Sequence, residues 1–184
     1  MKNKYIPLFL IGACFPWLAG ALELPALYSD GMVLQREHNL RIWGEASPEQ
    51  VIEVSLDDWT VRTRAGADGG WEVDFPPHEA GGPFELVVRT AEEERKVSDV
   101  WIGDVWLASG QSNMEWKVSK NIDDMEAEIA DSEYPKIRFF EVPNRFSPDV
   151  RHDLPDSVKW VVADPVTSGD FSAVAWFFAK HNHL

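Results

Sequence analysis

Cysteine is almost missing from this chain: Cys14 is the single one in 184 residues, which excludes an intramolecular disulfide and a cysteine-built metal site. Positive charge is scarce as well. Lys plus Arg number 17 against 31 Asp plus Glu, a net charge of −14, and no basic stripe is present to neutralise phosphates, so nucleic acid is excluded as a partner. No apolar run reaches the roughly 20 residues of a comfortable membrane span. What is present describes a folded protein: 45% hydrophobic residues and nine tryptophans supply material for a core, and 26% charged residues are too few for a disordered chain.

The first residues read as an export signal. Lys2 and Lys4 form a basic start, "YIPLFLIGACFPWL" is an apolar stretch, and Ala19-Gly20-Ala21 supplies small residues for cleavage. Residues 1–21 are therefore expected to be a signal peptide, with the mature chain beginning near Leu22 and located in the periplasm or outside the cell. A second reading takes Ile11-Gly12-Ala13-Cys14 as a lipoprotein box with a lipid anchor on Cys14.

From Met32 to Val100 the pattern has period two. Ile52, Val54 and Leu56 alternate with polar neighbours, as do Trp59, Val61 and Thr63, then Trp71, Val73 and Phe75, then Phe84, Leu86 and Val88. The separators "EASPEQ", "AGADGG" and "PPHEAGGP" are turn chemistry. Short strands without an intervening helix predict an all-β sandwich or jelly-roll-like module over residues 22–100.

Beyond Asp99 the grammar changes. "VWIGDVWLAS" is nearly continuous and apolar, as expected of a strand covered on both faces. "NIDDMEAEIADSEYP" reads as a helix with Ile122, Met125 and Ile129 on one face, Asp123 and Asp124 at its amino end and Pro135 stopping it. "KIRFFEV" and Trp160-Val161-Val162 are further strands. The last segment is a helix whose apolar face would carry Phe171, Val174, Ala175 and Phe178, capped by Ser168 or Asp170. This order predicts the start of a parallel α/β domain over residues 101–184. So small an open sheet would leave its last helix uncovered, and the expectation is a truncated domain.

The chemistry-bearing stretch is "SGQSNM", residues 109–114. Ser112 would stand after a buried strand and before a polar turn, where ligands collect in open α/β sheets. Its hydroxyl would be exposed and nearby amides, its own included, could face an oxyanion. A turn or cap role for serine and asparagine is the competing reading. The spacing is not the GxSxG of a nucleophile elbow.

"DVWIGDVWLASGQSNMEW" closely resembles the first block of the sialate O-acetylesterase family, a branch of the SGNH (GDSL-like) hydrolases acting on acetylated sugars. "LPALYSDGMVLQR" resembles the opening of these proteins, and "FSAVAWFFAK" the helix before their next strand. The resemblance implies that this is the amino-terminal portion of a metal- and cofactor-free carbohydrate esterase with a flavodoxin-like SGNH domain. It implies Ser112 as nucleophile and oxyanion amide, with Gln111 and Asn113 orienting the turn or lining the pocket, and with Gly110 allowing the backbone to turn closely. A glycine amide, an asparagine side chain and a histidine with an acidic partner complete the family's site, and the blocks that carry them are not matched here.

The five histidines of the chain fit other roles. His38 and His78 are expected on loops of the β module, His152 beside Asp153 in a loop turn, and His181 and His183 on a solvated tail. Trp43, Trp59 and Trp71 alternate in phase, which suits core packing more than a sugar-stacking platform. Two readings compete with the esterase: a non-catalytic carbohydrate-binding or interaction module built on the β strands, and an inactive gene fragment.

Overall fold

The computed structural model describes residues 20–120, 122–151, 153–155 and 157–183. The expected signal peptide up to residue 19, with Cys14, and the His152 reading lie outside the described residues.

Residues 33–103 build seven strands: β1 (Val33–Gln35), β2 (Leu40–Glu45), β3 (Val51–Leu56), β4 (Trp59–Arg64), β5 (Gly70–Phe75), β6 (Gly81–Arg89) and β7 (Glu94–Gly103). A five-stranded sheet runs in the order β1-β7-β6-β3-β4, and β2 pairs with β5 in a second sheet. All pairs are antiparallel except β1 with β7. Period-two alternation drives this arrangement, since it places one side of each strand in a common interior. Leu40, Ile42, Val73 and Phe75 from the smaller sheet share a core with Ile52, Val54, Leu56, Leu86, Val88, Val100 and Ile102 from the larger. Trp71 is buried there, Trp59 stacks on Phe75, and Trp43 faces outward.

Two glycines are needed where these strands turn or crowd. Gly69 has a positive φ of 91° on the approach to β5. A side chain on Gly44 would place its Cβ only 2.3 Å from the Glu23 carbonyl oxygen and 2.7 Å from the Trp71 ring.

Residues beyond Lys117 supply a second, smaller core. It contains α1 (Met125–Ala130), β8 (Tyr134–Phe140), β9 (Trp160–Ala163) and α2 (Ala173–His183). Val118, Ile137, Ala163, Phe171, Ala173 and Trp176 are its buried residues, with Ile122, Ile129 and Phe139 packed against them. Several sequence expectations change here. The only strand pair of this unit among the described residues, β8 with β9, is antiparallel, not parallel. The apolar run from Val100 is not one strand: its first part is the end of β7, and residues 104–110 belong to no strand. The reason is partnership, because β1 reaches only to Gln35 and offers no further ladder beyond Gly103.

The helices are also shorter than their patterns suggest. α1 covers six residues, with Asp124 at its amino end but making no side-chain cap, and Pro135 lies within β8 instead of ending the helix. Ser168 and Asp170 occupy a separate 3₁₀ turn. The cap of α2 is Ser172, whose Oγ accepts from the Ala175 amide at 3.5 Å. Because Phe171 precedes the helix, spacing counted from it is out of phase. The buried face carries Ala173 and Trp176, while Val174 and Phe178 are exposed.

Arg138 joins the two cores. Its buried guanidinium donates to the carbonyls of Gly31 at 3.1 Å and Asp99 at 3.0 Å and meets the Asp99 carboxylate at 3.0 Å. It also lies over the Trp101 ring. Trp160 Nε1 adds a bond to the Leu27 carbonyl at 2.8 Å.

Candidate active site

The turn holding Ser112 follows from local chemistry at both of its ends. Upstream, β1 clamps the chain as it leaves β7: Gln35 Oε1 accepts from the Val105 amide at 2.8 Å, and Arg36 Nε donates to Asp104 at 2.8 Å. Downstream, residues 116–119 lie against the entry to α2. The Val118 amide donates to the Phe171 carbonyl at 3.0 Å, the Ala173 amide to Trp116 at 2.8 Å, and the Ser119 amide to Gly169 at 2.9 Å. Lys117 and Asp170 form an ion pair across this seam at 3.2 Å.

Between these clamps, Gln111, Ser112 and Asn113 give their carbonyls to the amides of Met114, Glu115 and Trp116 at 2.8, 3.2 and 3.4 Å. This is a single helical turn, and its leading amides have no partner three residues earlier. The amides of Ser112 and Asn113 donate to no backbone carbonyl among the described residues. Gly110, Gln111, Ser112 and Asn113 are all exposed. The place of Gly110 has a steric reason, since a Cβ there would come within 2.7 Å of Met114 Cγ. Glu115 accepts a hydrogen bond from the Asn144 side chain.

The structure thus brings the four motif residues together on one exposed turn, and among the described residues no histidine is hydrogen-bonded to them. His38 is exposed after β1. His78 is partly buried, edge-on to Trp59 and Phe84 and 3.7 Å from Asp57. His181 and His183 end α2, and His183 packs on Tyr134. Among the described residues no group of three or more His, Cys, Asp or Glu side chains is placed to hold a metal ion, and no helix is long and apolar enough to cross a membrane.

No protein-family model matches the chain. It is 34% identical to the sialate O-acetylesterase of Mus musculus over 175 residues, covering 85% of this chain and 32% of that protein. The human sialate O-acetylesterase is 29% identical over 171 residues, covering 83% and 32%. A crystal structure of a carbohydrate acetylesterase from Xanthomonas citri superposes with a TM-score of 0.84 at 40% identity, covering 88% of this chain and 37% of that one. The chain is similar to the sialate O-acetylesterases over part of their length. It spans about a third of the length of the curated relatives it matches.

Sequence reasoning passed over Gln35 and Arg36, which hold the chain as it approaches the serine turn. They stand in "GMVLQR", quoted above only for its likeness, and the signal that could have singled them out is their place at the end of β1. There β1 lies parallel to β7, with Gln35 opposite Gly103.

Proposed function

We propose that this chain carries the nucleophile-bearing part of a carbohydrate O-acetylesterase, with Ser112 attacking the acetyl carbonyl of an acetylated sugar such as a sialic acid. The observation that carries the reading is the turn itself: an exposed serine with leading amides free of backbone partners, held from both sides, in a chain 40% identical to part of a carbohydrate acetylesterase. In this mechanism the serine Oγ adds to the carbonyl carbon while a base takes its proton. The amides of Ser112 and Asn113 meet the developing oxyanion. The sugar oxygen leaves with a proton, and water then releases acetate from the acetyl-serine. Gln111 and Asn113 shape the turn, and Gly110 makes room for Met114.

The same reading includes a β-sandwich module over residues 22–100, an SGNH-type α/β domain from residue 101 that is only partly represented here, and export to the periplasm or the exterior. Trp106, Leu107 and Trp116 are 64%, 93% and 52% exposed beside the serine turn. Apolar side chains so exposed favour a larger domain that covers them.

Two experiments test the proposal. The chain alone is expected to hydrolyse p-nitrophenyl acetate negligibly, because loss of the general base costs a serine hydrolase roughly 10⁴-fold or more. Turnover that disappears in Ser112→Ala would overturn that expectation. In a chimera, this chain replaces the matching third of the Xanthomonas citri acetylesterase. Sugar deacetylation should persist there and be lost with Ser112→Ala; activity that survives the substitution refutes the nucleophile.

A further inference from the structure

One cleft of the described residues lies well away in sequence from the serine turn. It has a volume of about 770 Å³ and is bordered by β2, β5, the end of β4 and the segment around Glu23. We propose that it is a binding site for a neutral sugar residue of an oligosaccharide, separate from the chemistry at Ser112.

The register of the strands creates the site. On the outward face of β2, Trp43 stands opposite Glu72 and Glu45 opposite Gly70. The indole of Trp43 is 38% exposed there, and the Asp68 carboxylate lies over Gly70, accepting from its amide at 3.1 Å. Tyr28 packs edge-on against Trp43 at 4.8 Å and fixes its orientation. An indole so held offers an apolar surface to the C–H face of a pyranose.

Polar recognition comes from the same face. Glu23 and Glu45 are direct cross-strand partners, bonded through both amides at 2.9 and 3.0 Å. Like charges in that relation repel, yet neither carboxylate appears in any ion pair among the described residues. Asp68, Glu72 and Asp153 add three more carboxylates to the wall, against Arg64 as the single cation in it. Ionised carboxylates only accept hydrogen bonds, so the matching ligand is a donor without negative charge. Sugar hydroxyls fit, and a sialic acid carboxylate does not.

Isothermal titration of the full chain with cellohexaose and xylohexaose, and with 3′-sialyllactose as the anionic probe, tests the site. A neutral hexasaccharide is expected to bind, sialyllactose is not, and Trp43→Ala should weaken binding roughly tenfold or more. Glu45→Gln provides a surface variant should Trp43→Ala fail to fold by circular dichroism, and it too should weaken binding. Silence with both neutral probes, unchanged affinity in the folded cleft variants, or preference for sialyllactose would each overturn the proposal. The cleft is expected to bind equally in Ser112→Ala. Binding lost there would move the sugar to the serine turn and refute the cleft, leaving the esterase reading to be judged by the chimera.

Discussion

Single residues in this chain divide sharply between those that face solvent and those that hold the backbone. Ser112 is exposed in a turn closed by backbone bonds, and its hydroxyl makes no hydrogen bond among the described residues. Ser112→Ala should therefore leave the melting temperature within the range of an ordinary surface change, about 0.5 kcal/mol or less. Thermal denaturation followed by circular dichroism checks this, and a large drop would show the hydroxyl to be structural. Ser172 has the opposite character. Its Oγ accepts from the Ala175 amide at the start of α2, and Ser172→Ala should cost about 1 kcal/mol, measurable by urea denaturation. Neither serine announces its role by its type, because a hydroxyl next to an amide can be a nucleophile, a cap or a turn residue.

At the level of elements, the seam between β9 and α2 depends on one carboxylate. Asp164 accepts from the amides of Val166 and Thr167 at 2.7 and 2.8 Å and from the Thr167 hydroxyl at 3.0 Å. The backbone bond from Thr167 is the main cause that holds its pKa below the ordinary value. A carboxyl whose native pKa is depressed contributes stability above its unfolded pKa, near 4, and that contribution fades as the pH falls through the lower native value. Stability of the wild type should thus decline from about pH 4 downward more steeply than that of Asp164→Asn. Parallel acid titrations monitored by tryptophan fluorescence would show the difference, and identical curves would contradict it. Lys180 on α2 follows the same logic with opposite sign. Burial works against its charge, but the hydrogen bond and charge of Glu128 outweigh this and raise its pKa. Its share of stability is present at neutral pH and is lost only in strong alkali.

For the whole molecule, the joint between the two cores matters most. Arg138 ties Gly31, Pro135 and both ends of Asp99 together, and it is 96% covered as a side chain, since 4% is accessible. Arg138→Ala would strand carbonyls of both units. It should destabilise the chain by about 2 kcal/mol and raise proteolytic nicking between residues 141 and 158. A protease time course with mass spectrometry reads this directly, and wild-type resistance in the variant would mean that Trp160 alone holds the joint.

Much of the β unit was legible because alternation has a direct physical cause: a pleated strand sends every second residue to one side. Ile52, Val54, Leu56, Val73 and Phe75 could be placed in a core from their spacing alone, and the turn at residues 111–115 was legible from its polar composition. The second unit was less so. Its helices are short, and Phe171 looks helical by spacing although it precedes α2. The run after Val100 looks like one strand although its latter half has no neighbour to pair with. Composition and periodicity by themselves determined where apolar side chains recur and which serine to examine. Tertiary structure decided which strands meet and in what direction, where the run after Gly103 loses its partner, and which face of α2 is buried. It also set Glu23 beside Glu45, 22 residues apart in the chain. Pairing between distant strands depends on the packing of the whole molecule, and local sequence carries no record of it.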